Sequence, residues 1–141
     1  MSGADFFDSN VLLYLFDETA PAKSERAGEL VTQALARRTA VISHQVVQET
    51  LHVLSRKFRI AAKPEHAIAF LRDTLQPLWQ VQPSVQLYEH AVELRERLRF
   101  GFYDSLIVAA ALQAGCKRLL TEDLQHGQKI DGLRIENPFR G

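Results

Sequence analysis

Five short apolar runs, the first four separated from one another by long stretches of helical spacing, constrain this chain more than any other feature. Brief, unalternating runs interrupted by helices are what βαβ units look like, with strands buried on both faces of a parallel sheet. The runs close at Phe6-Phe7 and then cover residues 39–42, Trp79-Gln80-Val81, residues 118–121 and residues 133–136. Between them the spacing predicts helices over 11–16, about 23–38 behind Pro21, 44–58, 64–75, 85–99 and 103–114. Ser43 is expected to cap the third of these with its hydroxyl, and Pro64 suits a first helical turn. Leu87, Ala91, Leu94 and Leu98 recur at helical spacing. Gly101 breaks that helix, and Gly115 ends the alanine-rich one where a left-handed residue is needed. The expectation is one α/β domain over residues 1–141: a three-layer α/β/α sandwich on a short parallel sheet of five strands.

With 141 residues, 46% hydrophobic and 24% charged, the chain can bury a core without covalent staples. The single cysteine, Cys116, excludes an intrachain disulfide and a cysteine-rich zinc site, and fits a reducing compartment. No run approaches the ~18 apolar residues of a spanning helix, and the first residues lack the pattern of a signal peptide. A soluble, cytoplasmic protein with no membrane partner is expected. Lysine plus arginine and aspartate plus glutamate both total 17, so no net charge draws the chain to a polyanion. Only local patches can do so. Arg56, Lys57, Arg59 and Lys63 form the densest one, with Arg56 and Arg59 the candidate phosphate contacts; a solvated surface is the plain alternative.

Four acids fall where such a fold places ligands. Asp8 follows the first strand and Asp123 lies two residues past the fourth, at carboxyl ends of parallel strands. Glu49 lies in the helix after the second strand, and Asp104 opens the alanine-rich helix. Each has a bland reading. Asp8, Asp104 and Asp123 can be caps or loop acids. Glu49 sits on a polar stripe with Gln45, Gln48, His52, Arg56 and Arg59 that can simply be solvated. Together they mean more, because two like charges ~5 Å apart repel by roughly 3 kcal/mol at an effective dielectric of about 20. Converging carboxylates call for a cation, and all-oxygen ligation suits Mg²⁺ or Mn²⁺. A metal so held can hydrolyse a phosphodiester.

The segments around these acids resemble the PIN-domain family. Phe7-Asp8-Ser9-Asn10-Val11-Leu12-Leu13 is similar to its opening motif, and Val46-Val47-Gln48-Glu49 to the segment carrying its second acid. Tyr103-Asp104-Ser105-Leu106-Ile107-Val108-Ala109-Ala110-Ala111 resembles its third acid and small-residue helix, and Leu120-Thr121-Glu122-Asp123 the segment delivering the fourth. The resemblance implies a parallel sheet ordered 3-2-1-4-5 and ribonuclease activity with Mg²⁺ or Mn²⁺ between Asp8, Glu49, Asp104 and Asp123. It makes Asn10 and Thr121 supporting residues. Either Glu122 or Asp123 can supply the fourth carboxylate. Proteins of this kind and size mostly resemble VapC-type toxins that a small antitoxin holds inactive, and a homodimer is expected.

Two other readings stand beside this one. A non-catalytic PIN-like module would bind RNA or a partner without cutting. An acid-pocket phosphoryl-transfer domain would share the aspartate after the first strand, but Asp8-Ser9-Asn10 lacks the second aspartate that a dehalogenase-like enzyme wants. His44, His66 and His90 fit no ligand spacing, His126 reads as surface, and Trp79 reads as core. Tyr103 can stack on a base or pack beneath its helix start. An antitoxin would bring an arginine or lysine to the acids and dock on Val31, Leu35, Val47, Leu51 and Leu54, if these are not core.

Overall fold

The computed structural model describes residues 4–58 and 63–140. Six strands form one sheet: β1 Asp5–Phe7, β2 Ala40–Ser43, β3 Trp79–Val81, β4 Arg118–Leu120, β5 Lys129–Ile130 and β6 Leu133–Glu136, in the order β3-β2-β1-β4-β6-β5. Neighbours are parallel throughout except β5, which runs antiparallel to β6. The expected order of five parallel strands is therefore present, with β6 as its fifth member. The correction is a sixth strand on the edge. It exists because Asp131 and Gly132 both take positive φ, 50° and 90°, which closes a tight hairpin.

The helices are α1 Ser9–Leu13, α2 Pro21–Arg37, α3 His44–Lys57, α4 Pro64–Phe70, α5 Gln76–Leu78, α6 Val85–Leu98 and α7 Phe102–Gln113. A 3₁₀ turn, Tyr14–Phe16, continues α1, and a π turn, Leu71–Leu75, joins α4 to α5. The helix expected to stop near residue 75 thus reaches Leu78. The wider π turn lies where Pro77 removes the donor that Asp73 would have used. Ser43 is a second correction: it pairs as a strand residue with Val81, its hydroxyl is buried without a partner, and it makes no side-chain cap. Gly115 holds the expected left-handed turn, at φ 73°.

Right-handed crossovers put the β1-to-β3 connections on one face and α6 with α7 on the other. The core lies between, around Phe6, Phe7, Leu12, Ile42, Leu54, Leu119 and Leu120, all at most 1% exposed. Residues 105–111 of α7 are buried on every side, as an all-apolar helix should be. Winding reverses between β1 and β4, so the crevice beyond their carboxyl ends is where a ligand site belongs. No helix among the described residues is long and apolar enough to cross a membrane.

Candidate active site

The crevice between β1 and β4 is built by one hydrogen-bonded cluster. Asp8, 6% exposed, accepts at Oδ1 from the Ser9 amide at 2.8 Å and at Oδ2 from the Thr121 hydroxyl at 2.8 Å. It is also the N-cap of α1, so the bland reading and the functional one both hold. Thr121 is fully buried; its Oγ1 also accepts from Asn10 Nδ2 and from the Asp123 amide, each at 3.1 Å. Asn10 Nδ2 reaches Asp123 Oδ2 at 3.1 Å as well. Two segments more than a hundred positions apart are thereby locked together by Asn10 and Thr121.

Of the adjacent acids, Glu122 is occupied elsewhere. It accepts from the Tyr14 hydroxyl at 2.5 Å and from Lys23 Nζ at 3.2 Å, while Asp123 faces Asn10. The geometry thus leaves Asp123 to the crevice.

Glu49 and Asp104 approach from α3 and α7, helices that a Gln45 Nε2 hydrogen bond to the Tyr103 carbonyl ties together, and each bears on another acid of the crevice. Burial raises the Asp8 carboxyl most, pushing it up to about 7 against the Thr121 and Ser9 hydrogen bonds, and Glu49 and Asp123 add to the rise. Glu49 is raised first by partial desolvation of its carboxyl, although the residue as a whole is exposed; Asp104 and Asp123 add, and hydrogen bonds from Gln45 and Ser9 oppose. Asp104 is raised by desolvation and then by Asp123. The groups that shift these three are other acids and neutral donors, with no cation among them. Asp8 forms the floor, and the other three form a rim open to solvent.

Among the described residues, no three histidine, cysteine or acidic side chains are arranged to clasp an ion as they stand. The fit to a hard cation is one of charge and donor type. Asp8, Glu49 and Asp104 have no cation among the groups that shift them, and two amide oxygens, Asn10 Oδ1 and Gln45 Oε1, are buried with no donor. Both suit water molecules carried by a hydrated ion.

The sequence missed three contributors. Ser9 lies inside the quoted motif and signals itself only by position. Gln45 is not solvated with the rest of its stripe: it is 5% exposed and its Nε2 donates to the Tyr103 carbonyl at 3.2 Å, tying α3 to the start of α7. Lys23, 99 positions from Glu122, had no local signal. Tyr103 does not pack under its helix; it is 70% exposed beside Asp104, with its ring edge-on to Phe102. Arg56 is exposed at the far end of α3, and Arg59 lies outside the described residues. His126 accepts from the Asn137 amide at 3.0 Å, a turn contact. Trp79 is only partly buried, on the edge strand. Val31, Val47 and Leu54 are core, and Leu35 and Leu51 pack against it, so α2 and α3 offer no broad apolar docking face.

A family model described as PIN domain matches residues 6–130. Comparison with curated proteins gives no match. Solved structures with the same fold include a DNA-bound VapBC from Salmonella typhimurium, 22% identical, covering 96% of this chain and 98% of that one at a TM-score of 0.68. A toxin–antitoxin complex from Klebsiella pneumoniae is 21% identical, covering 96% and 98% at 0.65. A Sarcin-Ricin loop cleaving VapC toxin from Mycobacterium tuberculosis is 22% identical, covering 85% and 92% at 0.60.

Proposed function

The chain belongs to the PIN domain family, and on that premise we propose that it is a ribonuclease dependent on Mg²⁺ or Mn²⁺, the toxin of a toxin–antitoxin pair. The observation that carries this reading is the gathering of Asp8, Glu49, Asp104 and Asp123 at one crevice, with no cation among the groups that shift the first three. These four would hold the ion. When bound, it supplies charge compensation, a polarised phosphate and a water of lowered pKa.

The remaining work belongs to the chain. Thr121 and the Ser9 amide fix both oxygens of Asp8, so that carboxylate cannot swing away. Asn10 sets the direction of Asp123. Gln45 holds α3 and α7 together, which sets where Glu49 and Asp104 stand relative to each other. Such preorganisation keeps reorganisation out of the barrier. Tyr103, exposed beside Asp104, offers a ring on which an unpaired base can stack.

An antitoxin partner is supported by the like-folded structures that are themselves toxin–antitoxin assemblies. Such a partner would set an arginine or lysine among the uncompensated acids. A homodimer finds support in α6, where Val85, Tyr88 and Val92 are 69%, 40% and 41% exposed on one helical face.

The test is cleavage of labelled RNA by the purified protein. Wild type should need Mg²⁺ or Mn²⁺, stop in EDTA and work poorly with Zn²⁺. Asp104→Asn should lose at least ~100-fold in rate. Induced in bacteria without a partner, wild type should arrest growth and Asp104→Asn should not. Full activity in EDTA, or an unchanged rate in the variant, overturns the mechanism; binding without cleavage would leave an RNA-binding module.

A further inference from the structure

A cluster of carboxylates repels the polyanion it is proposed to cut, and a chain with zero net charge offers no general attraction in return. Cations close to the crevice must therefore hold the flanking phosphates. The structure gathers them away from the cluster conspicuous in the sequence. Lys23 and Arg26 on α2, with Arg140 near the chain's end, line a cleft of about 260 Å³ beside Ala22, Pro138 and Phe139.

Three features make this cleft an anion site contiguous with the acids. Lys23 Nζ lies 3.2 Å from Glu122, the residue before Asp123, so the cleft opens beside the acid rim. Lys23 is held by Glu122, which leaves two cations for a ligand. Arg26 reaches Glu29 only at 3.9 Å, both being about half exposed, and donates Nε to the Pro138 carbonyl at 3.3 Å, while Arg140 is exposed with no ion pair among the described residues. The cleft also meets the first turn of α2, a helix of 17 residues that starts at Pro21 with no side-chain cap and no acid in its first turn. That helix end presents free N–H groups and partial positive charge, which favour phosphate.

We propose that the Lys23–Arg26–Arg140 cleft binds a backbone phosphate of the RNA strand next to the one being cut. The site thereby sets how the strand enters the crevice, with Phe139 and Tyr14, whose rings meet edge-on at 4.7 Å, beneath the neighbouring nucleotide. This rests on the ribonuclease reading and adds the substrate's path to it. Each single-strand phosphate contact contributes about 0.7 to the salt dependence of binding.

The experiment is fluorescence anisotropy of a labelled single-stranded RNA across a KCl series, on an Asp104→Asn background that does not cut. Replacing Arg26→Gln and Arg140→Gln together removes that one phosphate contact and should weaken binding roughly fivefold near 0.1 M salt and reduce the salt slope by about 0.7. In the active protein the same pair should raise KM and leave kcat nearly unchanged. The control removes equal charge at the other end of the sheet, Lys117→Gln with Lys129→Gln, both exposed in a separate basic cleft. It should change binding less than about twofold. Equal losses in the two double variants would overturn the proposal, since attraction would then be diffuse. Displacement of RNA by polyglutamate as readily as by unlabelled RNA would also overturn it, marking a protein-docking surface. If wild type cuts RNA but the Arg26 and Arg140 pair changes nothing, the cleft alone is refuted. If wild type neither binds nor cuts RNA, the ribonuclease reading falls with it.

Discussion

Asp5 and Asp8 stand at opposite ends of the same three-residue strand and are treated in opposite ways. Asp5 accepts from both Arg118 Nε and Nη2, at 2.8 and 2.6 Å, and Arg118 also donates to Glu136 at 2.7 Å. Arg134 pairs with Glu136 as well. At this end Asp5 is neutralised, and its hydrogen bonds, with Glu136 reached from the far end of β6, hold the Arg118 guanidinium further above its ordinary range. At the other end Asp8 is more deeply buried, and it has neutral donors and like charges for company. The sheet's amino end spends its charges on holding strands together. Its carboxyl end keeps a charged cluster that destabilises the fold unless something positive arrives, which is the mark of a site rather than a scaffold.

The largest expected effect sharpens this contrast. Asp8 has its pKa raised from 3.8 to about 7, so the folded state keeps a proton that the unfolded state releases. The penalty is absent below about pH 4, grows as pH rises through the window, and is complete above about pH 7. Metal-free wild type should therefore lose stability between pH 4 and 7. Asp8→Asn should remove most of that loss, leaving the smaller share carried by Glu49 and Asp104, and raise stability at pH 8 by up to about 4 kcal/mol. Denaturant melts of both proteins across pH are the check, and parallel curves would break the comparison.

A smaller effect of opposite sign belongs to Asp5. Asp5→Asn removes the charge from a doubly hydrogen-bonded pair that is only partly buried, with side chains 18% and 38% exposed. It should destabilise by about 1 kcal/mol at neutral pH, since exposure and the remaining Glu136 contact soften the loss. A chemical melt at pH 7 measures it. If Asp5→Asn stabilises as Asp8→Asn does, the two ends do not differ as described.

Much of this contrast is legible in the residues themselves. Apolar runs closing at Phe7 and Leu120 place Asp8 and Asp123 at strand ends, and the parallel pattern brings those ends together. Glu49 and Asp104 follow from helix starts on the same edge. What stayed hidden depends on contacts far apart in sequence or on very short elements. β5 is two residues long, too brief for any periodicity, and only Asp131-Gly132 advertised its hairpin. Ser43 reads as a helix cap until pairing with Val81 claims it for the sheet. Glu122 and Asp123 are indistinguishable as neighbours; Tyr14 and Lys23 separate them in space. The densest run of cations in the sequence, at Arg56 and Lys57, is local; Arg26 and Arg140 lie more than a hundred positions apart and only the fold unites them.

The central claim, that the uncompensated carboxylates form a cation site, meets its most direct test in calorimetric titration of Mn²⁺ at two pH values. At pH 7.5 wild type should bind saturably, and Asp8→Asn should bind weakly or not at all. Because Asp8 must lose its proton, wild-type affinity should fall about 25-fold on lowering the pH to 5.5, for a pKa of about 7. Equal binding by wild type and Asp8→Asn, or wild-type affinity that ignores pH across this interval, would contradict the account.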